Sequence, residues 1–315
     1  MQAITAFDTR DKTREEWLAA RRRGIGGSDA AAIMGVNSYE SPLAVYMDKL
    51  GLAPEKDETE AMRQGRDLEQ YVADRFVEST GKKVRRCNRI LKHPEYEWML
   101  GNIDRDIVGE NAGLECKTTS VLNKTAFDQG DIPATYYWQC THYMAVTGAS
   151  KWYLAVLVLN KALHIFEIER DENAIMTLVA AEESFWRDYV LAQVPPMPSG
   201  LECDDALVDL IPGDKLPGDV VDLSEHDARI TSLKAVEADM SALKKQADAM
   251  KQTLAMTLGA ATEGRTTHYR VTYRPQVRRN IDADRLRDEL PNIAAEYAKE
   301  IKSRPMRITE VKSNG

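Results

Sequence analysis

The chain has 315 residues, 43% hydrophobic and 29% charged, with a formal net charge of -8. That length allows one sizeable core and a smaller second unit, and the balance fits a soluble globular protein. The longest apolar run, Trp152 to Leu159, is far short of the ~20 residues a membrane helix needs, so no membrane contact is expected.

The N-terminal sequence MQAITAFDTRDK lacks the basic-then-apolar order of a secretory signal, and a cytoplasmic location is expected. Cys87, Cys116, Cys140 and Cys203 are too scattered for a zinc site or an iron–sulfur cluster and read as free thiols.

Residues 13–21 predict a short helix with Thr13 as N-cap and Glu16 closing a capping box. After the turn Gly24-Ile25-Gly26-Gly27, Ser28 and Asp29 read as the cap and first turn of a new helix. Pro42 starts a third, over 40–50. Leu68, Val72 and Phe76 recur at fourfold spacing in a longer one, 62–80, that ends at Gly81. Strands are expected at 84–91, 98–104 and 113–117, the last two joined by a Gly/Asn-rich turn. A helix over 134–147 follows, then a hairpin of 152–158 and 162–169 around Asn160-Lys161, then an amphipathic helix over 171–192. Helices, a mostly antiparallel sheet and helices again indicate an α/β or α+β core. The expected organisation is a core at 1–195, a Pro/Gly/Asp-rich linker at 196–222 and a C-terminal helical extension with a short strand at 223–315. In that extension a heptad stripe runs from Leu233 to Leu254, a short strand from Tyr269 to Tyr273, and helix from Asp282 to Lys302 with a break before Pro291. The stripe suits either packing on its own chain or pairing with another chain. Arg270, Arg274, Arg278 and Arg279 flank Tyr269 and Tyr273, in a segment suited to DNA contact or to a charge-protected edge.

The negative net charge does not by itself suggest nucleic acid, but its distribution permits a basic groove. Basic residues cluster at 10–23, 82–92 and 270–279. The strongest chemical signal is Gly101-Asn102-Ile103-Asp104 followed by Leu114-Glu115-Cys116-Lys117. Strand alternation puts Glu115 and Lys117 on one face, and Asp104 on a neighbouring strand can meet Glu115. Two carboxylates so close need a cation between them, and hard oxygen ligands select Mg²⁺ or Mn²⁺. Lys117 then lies where it can contact a phosphate or a nucleophilic water. Arg21 and Ser28 offer a fork and a hydroxyl to a phosphate, although a plain capped helix start explains Ser28 too. Glu69 and Gln139, on helices, read from spacing alone as surface residues. The GIGGS turn is neither GxGxxG nor a P-loop, which excludes nucleotide binding of those kinds.

In order, Trp17-x(3)-Arg21-x(2)-Gly24-Ile25-Gly26-Gly27-Ser28, Gly65-x(3)-Glu69, Asp104, Glu115-Cys116-Lys117 and Gln139 resemble the YqaJ-like viral recombinases. These are relatives of phage lambda exonuclease in the PD-(D/E)XK nuclease superfamily. The resemblance spans about residues 14–190 and departs at Ile103, where the family usually has proline. It implies a restriction-endonuclease-like α/β fold, with a central mixed sheet flanked by helices. It implies Asp104, Glu115 and the Cys116 carbonyl as metal ligands, Lys117 at the attacking water, and Glu69 at a second metal or its water. Gln139 would orient the site, and Arg21 and Ser28 would hold a terminal 5′-phosphate. The implied activity is a Mg²⁺-dependent exonuclease that removes the 5′ strand of linear double-stranded DNA and leaves 3′ tails. It would work in a bacterial host cell with a single-strand annealing protein, often as a homo-oligomeric ring. The same centre would also serve a structure- or sequence-specific endonuclease, and the same fold a catalytically silent DNA-binding scaffold.

Overall fold

The computed structural model describes residues 3–54, 58–121, 127, 129–208, 210, 218, 220–299 and 306–309. The chain forms two compact units, Met1–Lys215 and Leu216–Gly315.

The first unit begins with β1 (Ile4–Asp8), α1 (Arg14–Arg21), α2 (Gly27–Ile33), α3 (Pro42–Lys49) and α4 (Glu60–Thr80). It continues through β2 (Val84–Arg86), β3 (Arg89–Lys92), β4 (Leu100–Gly101), β5 (Arg105–Ile107) and β6 (Ala112–Thr119). Then come α5 (Ala134–Thr147), β7 (Lys151–Val158), β8 (Ala162–Glu169), α6 (Glu172–Phe185) and α7 (Glu202–Val208). The central sheet has five strands in the order β2-β5-β6-β7-β8. Only β6 and β7 run parallel, because the chain crosses between them through α5. The sheet is therefore mixed. A second, three-stranded sheet is ordered β1-β3-β4.

Helices cover both faces of the central sheet. On one, Val72, Ala73 and Phe76 of α4 pack on Ile107, Leu114, Tyr153 and Ala155. On the other, Tyr143 and Met144 of α5 pack on Trp152, Leu154 and Val156. Cover on both sides explains the continuous apolar run of β7. Gly113 is required here, since a Cβ would lie 2.2 Å from the Trp152 ring.

Several details differ from the sequence expectations. The strand expected over 84–91 is two strands in different sheets, broken at Cys87-Asn88. The strand expected over 98–104 shrinks to β4, and Asp104 sits immediately before β5. Ser28 is not a cap: α2 is capped at Gly26, whose amide donates to Asp29 Oδ2 at 2.8 Å. The last helix of the core continues beyond α6 as a π-helical turn, Trp186–Leu191. The stretch expected as linker contains α7, with Leu207 buried against α3 and its neighbours. There Ser41 donates to the buried Asp204. Residues 209, 211–217 and 219 of that stretch lie outside the described residues.

The second unit holds α8 (Asp227–Leu258), the antiparallel pair β9 (Glu263–Arg265) and β10 (Arg270–Thr272), then α9 (Ala283–Glu289) and α10 (Pro291–Glu296). The expected end of the last helix, at 300–302, lies outside the described residues. No residue of α8 is buried, and its stripe from Leu233 to Leu254 is exposed. Arg270 and Arg274 both pair with Glu263. Among the described residues, no helix is long and apolar enough to cross a membrane.

Candidate active site

The register Arg105↔Leu114 and Asp106↔Gly113 brings Asp104 opposite Glu115. By alternation, Asp104, Glu115 and Lys117 share the sheet face that α5 covers, while Arg105 and Cys116 turn toward α4. The Cys116 amide donates to Asp104 Oδ2 at 2.8 Å, which fixes that carboxylate against β6.

Glu115 is buried at 3% exposure. Its Oε1 receives Lys117 Nζ at 2.7 Å and Gln139 Nε2 at 2.8 Å. Its Oε2 is buried with no hydrogen-bond partner among the described residues. Gln139 Nε2 also donates to the Tyr143 hydroxyl at 2.9 Å, so Gln139 is a buried strut rather than a surface amide.

Burial pushes the Asp104 carboxyl well above the usual carboxylate range, and the charges of Glu115 and Glu69 push it the same way. Burial alone would pull the Lys117 ammonium down, but Glu115 and Asp104 outweigh it and hold the lysine above its ordinary value. The Cys116 thiol is pushed up by burial and by the same carboxylates, so it stays protonated and is no thiolate ligand.

Buried Glu115, with one orphaned carboxylate oxygen, beside half-buried Asp104 is an electrostatically incomplete pair of the kind that a hard divalent cation would complete. Oxygen donors from Asp104, Glu115 and the Cys116 carbonyl fit such an ion. The side-chain set is sparse: among the described residues no three His, Cys, Asp or Glu side chains gather as a metal group.

Glu69, on α4, meets Arg105, a residue the spacing of the sequence did not single out. Arg105 is 2% exposed. It donates to Glu69 Oε1 at 2.6 Å, to the Asp104 carbonyl at 2.8 Å and to Gln70 Oε1 at 3.1 Å.

A second cluster forms at the start of α2. Arg21 Nη2 donates to Ser28 Oγ at 2.8 Å, with the guanidinium 4.7 Å from the Trp17 ring centre. Beneath them Asp29 and Lys49 form a buried ion pair at 2.5 Å. Burial works against the Asp29 charge, but Lys49 and Arg21 overcome it and hold its pKa below the ordinary value. The turn is stitched to the core by Ile25 N–H to the Trp98 carbonyl, 2.7 Å, and Leu100 N–H to the Ile25 carbonyl, 2.8 Å. Gly27 lies flat on Tyr143, where a Cβ would come 2.5 Å from the ring. Tyr143 thus touches both clusters, with its ring under Gly27 and its hydroxyl on Gln139. Its role was also missed, because position 143 reads as ordinary helix core.

The chain is similar to known proteins in sequence and in fold. Residues 16–150 match the model of the YqaJ-like viral recombinase domain. The protein YqaJ of Bacillus subtilis, itself uncharacterized, is 36% identical over 305 residues, 96% of each chain. The crystal structure of an alkaline exonuclease from Laribacter hongkongensis superposes with a TM-score of 0.50 at 21% identity, over 57% of this chain and 94% of that one. The same exonuclease in complex with dAMP gives 0.51 over the same shares.

Proposed function

Because the chain belongs to the YqaJ-like viral recombinase family, we propose that it is a metal-dependent DNA exonuclease acting on linear duplex ends. The observation that carries this reading is the Asp104–Glu115 pair, with Glu115 buried, Lys117 on it and one of its carboxylate oxygens left without a partner among the described residues.

Asp104 and Glu115 would hold Mg²⁺ or Mn²⁺, which when bound supplies charge neutralisation at the phosphate and activates water for attack. Lys117 positions the water and stabilises charge on the phosphate in transit. Gln139 fixes the Glu115 carboxylate, and Glu69 adds a carboxylate at the edge of the pair. Arg21 and Ser28 hold a terminal 5′-phosphate, a dianion suited to a guanidinium fork. Water adds to phosphorus, the P–O3′ bond breaks and the 3′ oxygen leaves with a proton. The product is a 5′-mononucleotide, the class of molecule to which dAMP, bound by the Laribacter enzyme, belongs. Removal of the 5′ strand leaves 3′ tails, the substrate of a single-strand annealing protein, and a ring of copies around the duplex would keep the enzyme on its track.

The test is digestion of a linear DNA with 5′-phosphates and a matched closed circle, each with Mg²⁺ or EDTA. Shortening of the linear DNA alone, only with metal and with 3′ tails left, is the expected result. Cutting of both would keep the metal centre but make the protein an endonuclease. If neither is cut, the nuclease reading fails.

A further inference from the structure

Beside the active site lies a groove of about 450 Å³ that the chemistry above does not use. It opens off β2, the edge strand of the central sheet, where the chain turns through Cys87-Asn88 into β3 and meets the end of β1. Its position is tied to the site, because the Cys87 amide donates to the carbonyl of Asp104 at 3.3 Å.

Arg10, Arg85, Arg86 and Arg89 line it, against two carboxylates, Asp8 and Asp106. Arg10 is held on Asp8 at 3.0 Å and Arg85 on Asp106 at 3.0 Å, with both arginine side chains 70% exposed. Arg86 and Arg89 are exposed and have no carboxylate partner among the described residues. The groove therefore carries a surplus of two positive charges on a chain whose net charge is -8. Its described lining has no aromatic ring on which a base could stack. Guanidinium groups bind phosphate oxygens two at a time and are weakly hydrated, which suits them to a phosphate backbone, and contacts to phosphate carry no sequence information.

We propose that the Arg10–Arg85–Arg86–Arg89 groove holds the phosphate backbone of duplex DNA next to the cleavage centre, without reading sequence. This rests on the nuclease reading and adds the path of the substrate to it.

The full chain carrying Glu115→Gln is used, so that bound DNA stays intact. Binding of a blunt duplex is measured in EDTA across a range of NaCl concentrations. Each phosphate contact contributes a slope of about 0.9 in log K against log salt. Arg86→Ala/Arg89→Ala is expected to flatten the slope by about 1.8 and to weaken binding equally on duplexes of unrelated sequence. Arg86→Lys/Arg89→Lys keeps the charges and is expected to restore most of the slope. Arg75→Ala/Arg187→Ala removes two exposed arginines outside the groove and serves as control. An unchanged slope in the alanine pair, an equal loss in the control, or a loss confined to single strands overturns the proposal. Failure to cut any DNA with metal would instead overturn the nuclease reading, and the two results are scored in separate assays.

Discussion

The Arg105 guanidinium bonds the Glu69 carboxylate at 2.6 Å and the carbonyl of Asp104 at 2.8 Å, so one buried side chain ties α4 to the residue at the centre of the site. Arg105→Met removes that fork and leaves Glu69, whose side chain is 25% exposed, without its cation. Breaking a buried pair from one side costs about 3–5 kcal/mol, and the partial exposure of Glu69 places this case near ~3 kcal/mol. Arg105→Lys keeps the charge but not the geometry and should cost less. Urea unfolding of the two variants and of a cycle with Glu69→Gln measures this. Additive effects in the cycle, within about 0.5 kcal/mol, would show that Arg105 does not act through Glu69.

Glu115→Gln and Lys117→Ala should each lower cutting by at least about a hundredfold, since one weakens the hold on the metal and the other removes charge stabilisation in transit. Lys117→Ala should also lose stability in EDTA. Alanine at 117 leaves Glu115 buried with Gln139 as its remaining partner, so thermal unfolding should shift down. Retained activity in both variants would remove the site assignment.

How much of this was legible in the sequence depended on range. The capping box of Thr13 and Glu16, and α5 at 134–147, follow from neighbours a few residues apart and were readable. The alternation that joins Glu115 to Lys117 was readable for the same reason. The break at Cys87-Asn88 was not, because it exists only to pass the chain from one sheet to another. β1 was overlooked, since its pairing partner lies at Arg89–Lys92. Arg105 meets Glu69 across 36 positions, and Tyr143 meets Gly27 from another helix. No local period carries such pairs. Gln139 and Glu69 were singled out by family resemblance, whereas spacing alone made them surface residues.

Metal dependence should vary with pH in a defined direction. Burial and two neighbouring carboxylates raise the Asp104 pKa, so without metal the site keeps a proton well above the usual carboxylate range. A cation must displace that proton. The Mg²⁺ concentration for half-maximal cutting should therefore rise as pH falls through and below the raised Asp104 pKa, by up to about tenfold per unit for one proton. A requirement independent of pH over the whole range in which the protein stays folded would show that no proton is exchanged for the metal.

The buried His142–Glu182 pair gives a second pH dependence, in stability. His142 Nδ1 faces Glu182 Oε1 at 2.8 Å, and its Nε2 donates to the Leu100 carbonyl at 2.8 Å. Both side chains are fully buried, and Glu182 Oε2 has no hydrogen-bond partner among the described residues. Burial raises the Glu182 pKa. It works against the His142 charge, but Glu182 overcomes it and the histidine is raised too. Both shifts have the same sign: the folded chain binds more protons than the unfolded chain above the ordinary glutamate value. The stabilisation is therefore complete at low pH and is lost as pH rises through the folded pKa of the pair. The free energy of unfolding should fall from the ordinary glutamate value, about 4.3, up to that point, by ~1.4 kcal/mol per pH unit for each extra proton held. Glu182→Gln, which keeps a hydrogen-bonding group of the same size, should flatten the dependence. If the variant shows the same slope as the parent in urea unfolding from acid to alkaline pH, the extra proton is held elsewhere. Because His142 lies on α5 between Gln139 and Tyr143, loosening this pair at high pH should also loosen the strut that holds Glu115.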